Sequence, residues 1–336
     1  MSKHLSVVRL EDRNRWDEIV DSFPEATIYY TNGYAKAASG DGETVLLYFQ
    51  GETMRAMHVT CIKCIEGTSY KDMSSIAGFY GWIVDGKNDA DSELLTSEIL
   101  RFAKDNGIVA EFIRCNPQIE SCKDVCFGNR RRIGQSVIVK VDEGQDIWMN
   151  MHSGNRNCIK KASNCGVQVH IAKDDSSLEN FKRIYNETMR KKEAFDYIMP
   201  DDYYNELFGI RNGIVFNAYA EYDGKVISSA LFLGKNKKAY YHLSGSDDEY
   251  AHLGSMKVVL YVVACYLQGL GYDTLDLGGG VKSRDDSLLA FKKRFTKEDV
   301  TPFYVLDKVY DQDAYDELSK GIEPSVDFFP AYRRKE

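Results

Sequence analysis

Residues Ser255–Phe295, SMKVVLYVVACYLQGLGYDTLDLGGGVKSRDDSLLAFKKRF, decide the fold. Met256–Leu270 is apolar apart from Lys257 and Gln268, which is the length of a buried helix and too short to cross a bilayer. Gly271 stops that helix, and the Leu-Asp-Leu that follows reads as a strand. A glycine run then leaves the strand, and a new helix beginning near Asp286 carries Phe291 and Lys292. The same helix–glycine–strand element occurs in the first half as SELLTSEILRFAKDNGIVAEFIRCNP, where the helix ends at Gly107.

Each element follows similar text. TVLLYFQGETMRAMHVTCIKCI reads as two strands joined at Gly51, behind helical text from Trp16 to Ser39. FNAYAEYDGKVISSALFLGKNKKAYYHLSGS reads as a meander turning at Asp223-Gly224, behind helices of which Pro200 opens the second. The order helices, antiparallel strands, helix, strand is thus used twice. It predicts an α+β fold with mixed, mostly antiparallel sheets flanked by helices. The predicted domains are 1–145 and 146–336, joined within Asp142–Asn150.

A chain of 336 residues suits two domains of ordinary size. Its net charge of −8 argues against broad nucleic-acid binding by phosphate neutralisation, while leaving room for a local basic patch. The first residues lack the apolar core of a signal peptide, so the expected location is cytoplasmic and the cysteines are expected to be reduced. Cys61 and Cys64 with Cys122 and Cys126 have a zinc-like count, but strand alternation turns Cys61 and Cys64 to opposite faces, so no metal is expected.

The glycine run is not a dinucleotide fingerprint, since Gly278 and Gly280 fit but Ser283 holds the third position. A phosphate loop of the Gly-Lys-Ser/Thr kind is absent as well.

Taken together, YYHLSGS, LGYDTLDLGGG and DDSLLAFKKRF resemble the Fem family, as do YAKAAS, EFIRCNP and IKKASNCGVQVH. Fem enzymes transfer amino acids from aminoacyl-tRNA to amines of peptidoglycan precursors and are built from two GNAT-like domains. The resemblance implies that Phe291 and Lys292 lie at the transfer centre, that Lys36 binds phosphate and that Tyr203 contacts substrate. It places Asn116 where the family has a carboxylate and Met199 where it has an arginine. GNAT enzymes commonly hold the coenzyme A pyrophosphate on a glycine-rich turn before a helix. The corresponding SGSDDEYAHLGSMK carries Asp247, Asp248 and Glu249, which repel phosphate.

Amide formation from an activated ester needs an unprotonated amine, oxyanion stabilisation and proximity, but no protein nucleophile. Lys292 suits the oxyanion or the leaving group; the alternative is a solvated face shared with Lys293 and Arg294. Asp276 and His242 are candidates for taking the amine proton, against plain roles in capping the glycine turn and in packing. Tyr241 beside His242, Arg114 at the end of a strand, Arg156 on a basic helix face with Lys160 and Lys161, and Tyr80 in GFYGWI are candidate substrate contacts. The leading expectation is aminoacyl transfer from tRNA to an amine-bearing sugar or peptide precursor. Acyl-coenzyme A-dependent transfer to an amino sugar and a non-catalytic binding module are the alternatives. No resident cofactor is expected.

Overall fold

A computed structural model describes residues 4–119, 128–323 and 328–334. The chain divides into two compact units, 1–133 with 303–336, and 134–302.

The first unit contains β1 (Leu5–Arg9), α1 (Arg13–Asp21), α2 (Asn32–Ala38), β2 (Glu43–Gln50), β3 (Arg55–Cys64), β4 (Lys71–Ser74), β5 (Ile83–Asp85), α3 (Asp89–Asp105), β6 (Ile108–Arg114) and β7 (Asn129–Ser136). The chain passes into the second unit within β7. There follow β8 (Ile138–Lys140), α4 (Ile147–Asn150), α5 (Ser153–Asn164), β9 (Gln168–Ala172), α6 (Leu178–Lys191), α7 (Asp201–Phe208), β10 (Ile214–Tyr222), β11 (Lys225–Lys235), β12 (Lys238–Ser246), α8 (Ser255–Gly269), β13 (Thr274–Asp276) and α9 (Ser287–Lys293). β14 (Thr301–Val309) and α10 (Gln312–Leu318) belong to the first unit.

The first sheet runs β1-β2-β3-β4-β6-β14-β7, with β5 on β3. Its core lies under α3, where Leu95, Ile99 and Ala103 pack on Val45, Leu47, Phe49 and Met73. Asn88 caps α3. Asp91 in its first turn accepts the main-chain N–H groups of Glu52, Thr53 and Met54 at 2.9–3.0 Å, fixing the β2–β3 turn against the helix. Those amide bonds hold the Asp91 carboxyl below its usual range.

The second sheet runs β8-β13-β12-β11-β10-β9. It is antiparallel except for the β12–β13 pair, which α8 connects by a crossover. Along β10, Phe216, Ala218 and Ala220 enter the core with α8. Asn217 between them faces the other way, donating to Ser177 beside α6 at 2.7 Å and accepting from Ser229 at 2.8 Å. This alternation gives the two faces of a sheet with helices on both. Each core side chain of α8, among them Val259, Val263 and Leu267, contributes ~1.5–3 kcal/mol by leaving water.

The predicted α+β class, the Asp223-Gly224 turn and the helix–Gly271–strand element are all present. The domain boundaries differ from the sequence reading in two places. The join falls at 133/134 rather than 145/146, and the last strand does not stay with the second unit. The cause is strand pairing: β14 runs antiparallel along β6, with Val305 opposite Arg114 and Val309 opposite Ala110. Nothing in β14's own residues announces a partner some 190 positions earlier.

Candidate active site

The C-terminal end of β13 organises the candidate centre within the second unit. Asp276 is its last residue and is 1% exposed. Its Oδ1 accepts from Ser136 Oγ and from the Gly278 N–H, the latter at 2.7 Å. Oδ2 is buried without a protein partner. Burial raises the carboxyl's pKa, while Ser136, Gly278 and the charge of Lys292 oppose that rise.

The chain then turns back through Gly278, whose φ of +75° favours glycine, and a Cβ there would stand 3.3 Å from Lys292 Nζ. Asp286 closes the turn. Its carboxylate accepts the N–H of Val281 at 2.8 Å and caps α9 through the N–H of Leu289, also at 2.8 Å. That helix is only seven residues long and places Lys292 in its last turn, pointing back at the glycines. Lys292 is 7% exposed, whereas Arg294 is exposed and Lys293 half-buried, so the three cations do not form one solvated face.

The Lys292 amine donates to the Gly279 carbonyl at 2.7 Å and lies 5.9 Å from the centre of the Tyr241 ring. Burial pulls its pKa from 10.5 down to about 8, against the opposing pull of Asp276 and Asp286. Phe291 packs edge-on against Phe295, anchoring the helix apolarly beside the lysine.

A β-bulge shapes β12 here: Leu231 pairs with Leu243 and Phe232 with Tyr241, leaving His242 as the extra residue. Tyr241 and His242 therefore depart from simple strand alternation. His242 Nε2 hydrogen-bonds the Tyr203 hydroxyl of α7, and burial pushes the imidazole down to about 4, leaving it neutral at neutral pH. Tyr241 donates to Ser244 Oγ at 2.5 Å, and burial pushes its phenol up to about 12. Tyr203 is 5% exposed, and α7 begins at Pro200 as the sequence predicts.

Arg156 donates to the Met151 carbonyl at the end of α4, while Lys160 lies 5.6 Å from the centre of the Trp148 ring. The N-terminus of α8, where a coenzyme A pyrophosphate would be expected, faces α5. Cys158 Sγ stands 2.5 Å from the place of a Cβ on Gly254, and Lys257 donates to that sulfur at 3.5 Å.

In the first unit, Tyr80, Arg114 and Asn116 are main-chain neighbours: Tyr80 N donates to Arg114 O at 2.7 Å, and Asn116 N to Tyr80 O at 2.8 Å. Tyr80 is fully buried beside Tyr29 and Tyr30, with its hydroxyl on Ala77 O at 3.2 Å, so it packs the core rather than walling an open groove. The Arg114 guanidinium faces the rings of Phe79 and Phe303 at 5.6 and 5.9 Å. Asn116 is 2% exposed, donating to Thr27 Oγ1 at 3.3 Å and accepting from Gln118 N at 2.9 Å, which is the work of a turn cap. Lys36 is exposed in the last turn of α2. Cys61 is buried and Cys64 exposed, as strand alternation requires; Cys122 and Cys126 lie outside the described residues. Among the described residues no cluster suits a metal ion, and no helix is long and apolar enough to cross a membrane.

Residues 150–293 match the acetyltransferase (GNAT) domain family. The crystal structure of FemX superposes with a TM-score of 0.70 at 15% identity, covering 93% of this chain and 99% of that one. The chain shares the FemX fold. L-PGS from Bacillus licheniformis also shares the fold, with a TM-score of 0.57 at 13% identity over 90% and 93% of the two chains. The UDP-N-acetylmuramoylpentapeptide-lysine N(6)-alanyltransferase of Weissella viridescens is 30% identical over 172 residues. The chain spans about half the length of that curated relative.

Of the candidates read from the sequence, Lys292, Phe291, Asp276, Tyr203, Tyr241 and His242 all lie in the second unit, with Lys292 beside Tyr241 and the glycine turn that Asp276 holds, and Tyr203 on His242. Sequence reasoning missed Ser136 and the Gly279 carbonyl. Ser136 sits 140 positions from the carboxylate it contacts, and QSVIVKVD carries no local signal for that pairing.

Proposed function

We propose that this chain is an aminoacyltransferase forming an amide bond between an aminoacyl group, delivered as its tRNA ester, and an amine of a peptidoglycan precursor. The observation that carries this reading is Lys292: a buried amine with its pKa drawn to about 8, held on a main-chain carbonyl by a short helix inside the GNAT domain. The name of the 30% identical relative, an alanyltransferase acting on the lysine of a UDP-linked muropeptide, supports the acceptor class.

In this reading the acceptor amine attacks the ester carbonyl, the C–N bond forms and the bond to the ribose oxygen breaks. The proton lost by the amine balances the one gained by the ribose hydroxyl. Lys292 in its ammonium form stabilises the oxyanion and supplies a proton to the leaving oxygen. An amine of pKa near 8 is poised for both at neutral pH. Neutral His242 and the substrates themselves are the candidate acceptors for the amine proton. Tyr203, bonded to His242, and the Tyr241 ring flank this site. Lys36 and Arg114 remain proposed precursor contacts and Arg156 a proposed RNA contact, whereas the buried Asn116 side chain is spent on its turn.

Acyl-coenzyme A is the weaker donor candidate because Cys158 and Lys257 occupy the approach to the α8 N-terminus and Asp247–Glu249 precede it. Separate calorimetric titrations with acetyl-coenzyme A and with charged tRNA test the donor. Micromolar binding of the charged tRNA alone is expected; binding of acetyl-coenzyme A alone would replace this reading with N-acetyl transfer.

A further inference from the structure

Asp276 has a more defined place than its candidacy as a proton acceptor. Its Oδ1 is committed to Ser136 and to the Gly278 amide, the first N–H of the turn that presents the Gly279 carbonyl to Lys292. The carboxylate therefore has one oxygen building the turn and the other, Oδ2, buried without a protein partner. On the opposite side, Asp286 holds the far end of the same turn through Val281 and starts the helix that carries Lys292. The amine is thus held on the Gly279 carbonyl beside the Tyr241 ring, and the charges of Asp276 and Asp286 act on it. Of the two carboxylates, only Asp276 is inside the protein, where its charge is screened least.

We propose that Asp276, locked by Ser136, is a positioning residue that sets the charge state and aim of Lys292 and is not itself the base of the reaction. This rests on the proposed role of Lys292 at the transfer centre. Without the buried negative charge, desolvation alone acts on the amine and drives it towards its free form. Without the Ser136 hydroxyl the carboxyl is protonated more readily, which acts on the amine in the same direction. A carboxylate that only capped a turn would change stability when altered, but would leave the lysine's titration where it was.

Competitive acetylation with acetic anhydride over pH 6–10, read by mass spectrometry on the peptide containing Lys292, measures this titration in the full-length protein. It needs neither donor nor acceptor, so its outcome is independent of whether aminoacyl transfer is the activity. Asp276→Asn keeps the acceptor for the Gly278 N–H and removes the charge. It is expected to lower the Lys292 pKa by about one unit, giving roughly fivefold faster labelling at pH 7 than wild type. Ser136→Ala, which leaves the carboxylate in place, is expected to move it the same way, with labelling two- to threefold faster. If Asp276→Asn does not fold, the Ser136→Ala result decides. A Lys292 titration unchanged in the folded variants would overturn the proposal. So would a rise in its pKa.

Discussion

The two units each bury a set of charged groups, and the sets are finished differently. In the first unit Glu111 on β6 is 2% exposed and both its oxygens are taken by protein groups, Oε1 by His58 Nε2 at 3.0 Å and Oε2 by the Tyr310 hydroxyl at 2.6 Å. Nearby on the same sheet, Asp72 receives a two-pronged contact from Arg333 at 2.8 and 3.0 Å. In the second unit Asp276 leaves Oδ2 without a protein partner, and the buried Lys292 meets a carbonyl and a ring face. A buried carboxylate with both oxygens taken by protein groups helps to hold a fold, even though His58 Nδ1 beside it is buried without a partner. A network that keeps an amine desolvated and partly compensated costs stability and holds that amine ready for a substrate.

The contrast predicts opposite outcomes for substitutions at the two centres. Lys292→Ala is expected to slow transfer by ~10²–10³-fold with the protein folded, the range for losing one oxyanion-stabilising group. Glu111→Ala is expected to destabilise the protein by roughly 3 kcal/mol in urea unfolding, because it strands two buried partners. Turnover per folded molecule should be retained. Loss of activity in folded Glu111→Ala would erase the distinction between the centres.

Lys292→Met sharpens the comparison through pH. The folded state lowers the lysine's pKa from 10.5 to about 8, so folding disfavours its charged form. That penalty is present in full below pH 8, declines as pH rises to 10.5 and vanishes above it. Lys292→Met should therefore be more stable than wild type by about 1–3 kcal/mol at pH 7, with the difference shrinking across pH 8–10.5. Equal stability of the two proteins at pH 7 would contradict a desolvated amine.

The smallest effect concerns His242, whose pKa falls from 6.5 to about 4 by burial. Stability should decline as pH drops through 6.5 towards 4. His242→Gln should remove about 1–2 kcal/mol of that decline in unfolding measured at pH 7 and pH 4.5.

Much of the second unit was legible because its signals are local. The apolar run of α8, the stop at Gly271, the Asp286 cap and the Phe291-Lys292 pair all lie within Ser255–Phe295. The features that escaped are those made by pairing across the sheets. β14 reaches β6 over nearly two hundred residues, Ser136 meets Asp276 across 140, and the Glu111–Tyr310 bond spans 199. Periodicity reports which face of an element is apolar but not which strand lies beside it. Tyr80 illustrates the same limit. Its aromatic–glycine surroundings fit a groove as well as a core, and only the packing of Tyr29 and Tyr30 around it distinguishes them. The bulge at His242 was hidden for a related reason, since it depends on β11 supplying one residue fewer.

The central claim is that Lys292 serves aminoacyl transfer from RNA to a precursor amine. Its most direct test is single-turnover transfer of a radiolabelled alanyl group from alanyl-tRNA to the lysine N6 amine of a lysine-containing UDP-N-acetylmuramoyl-pentapeptide. Wild type is compared with Lys292→Ala. Label appearing in the peptide with wild type, and at least tenfold more slowly with the variant, is the predicted result. Equal rates for the two proteins, or label that reaches the peptide only from an acyl-coenzyme A donor, would contradict it.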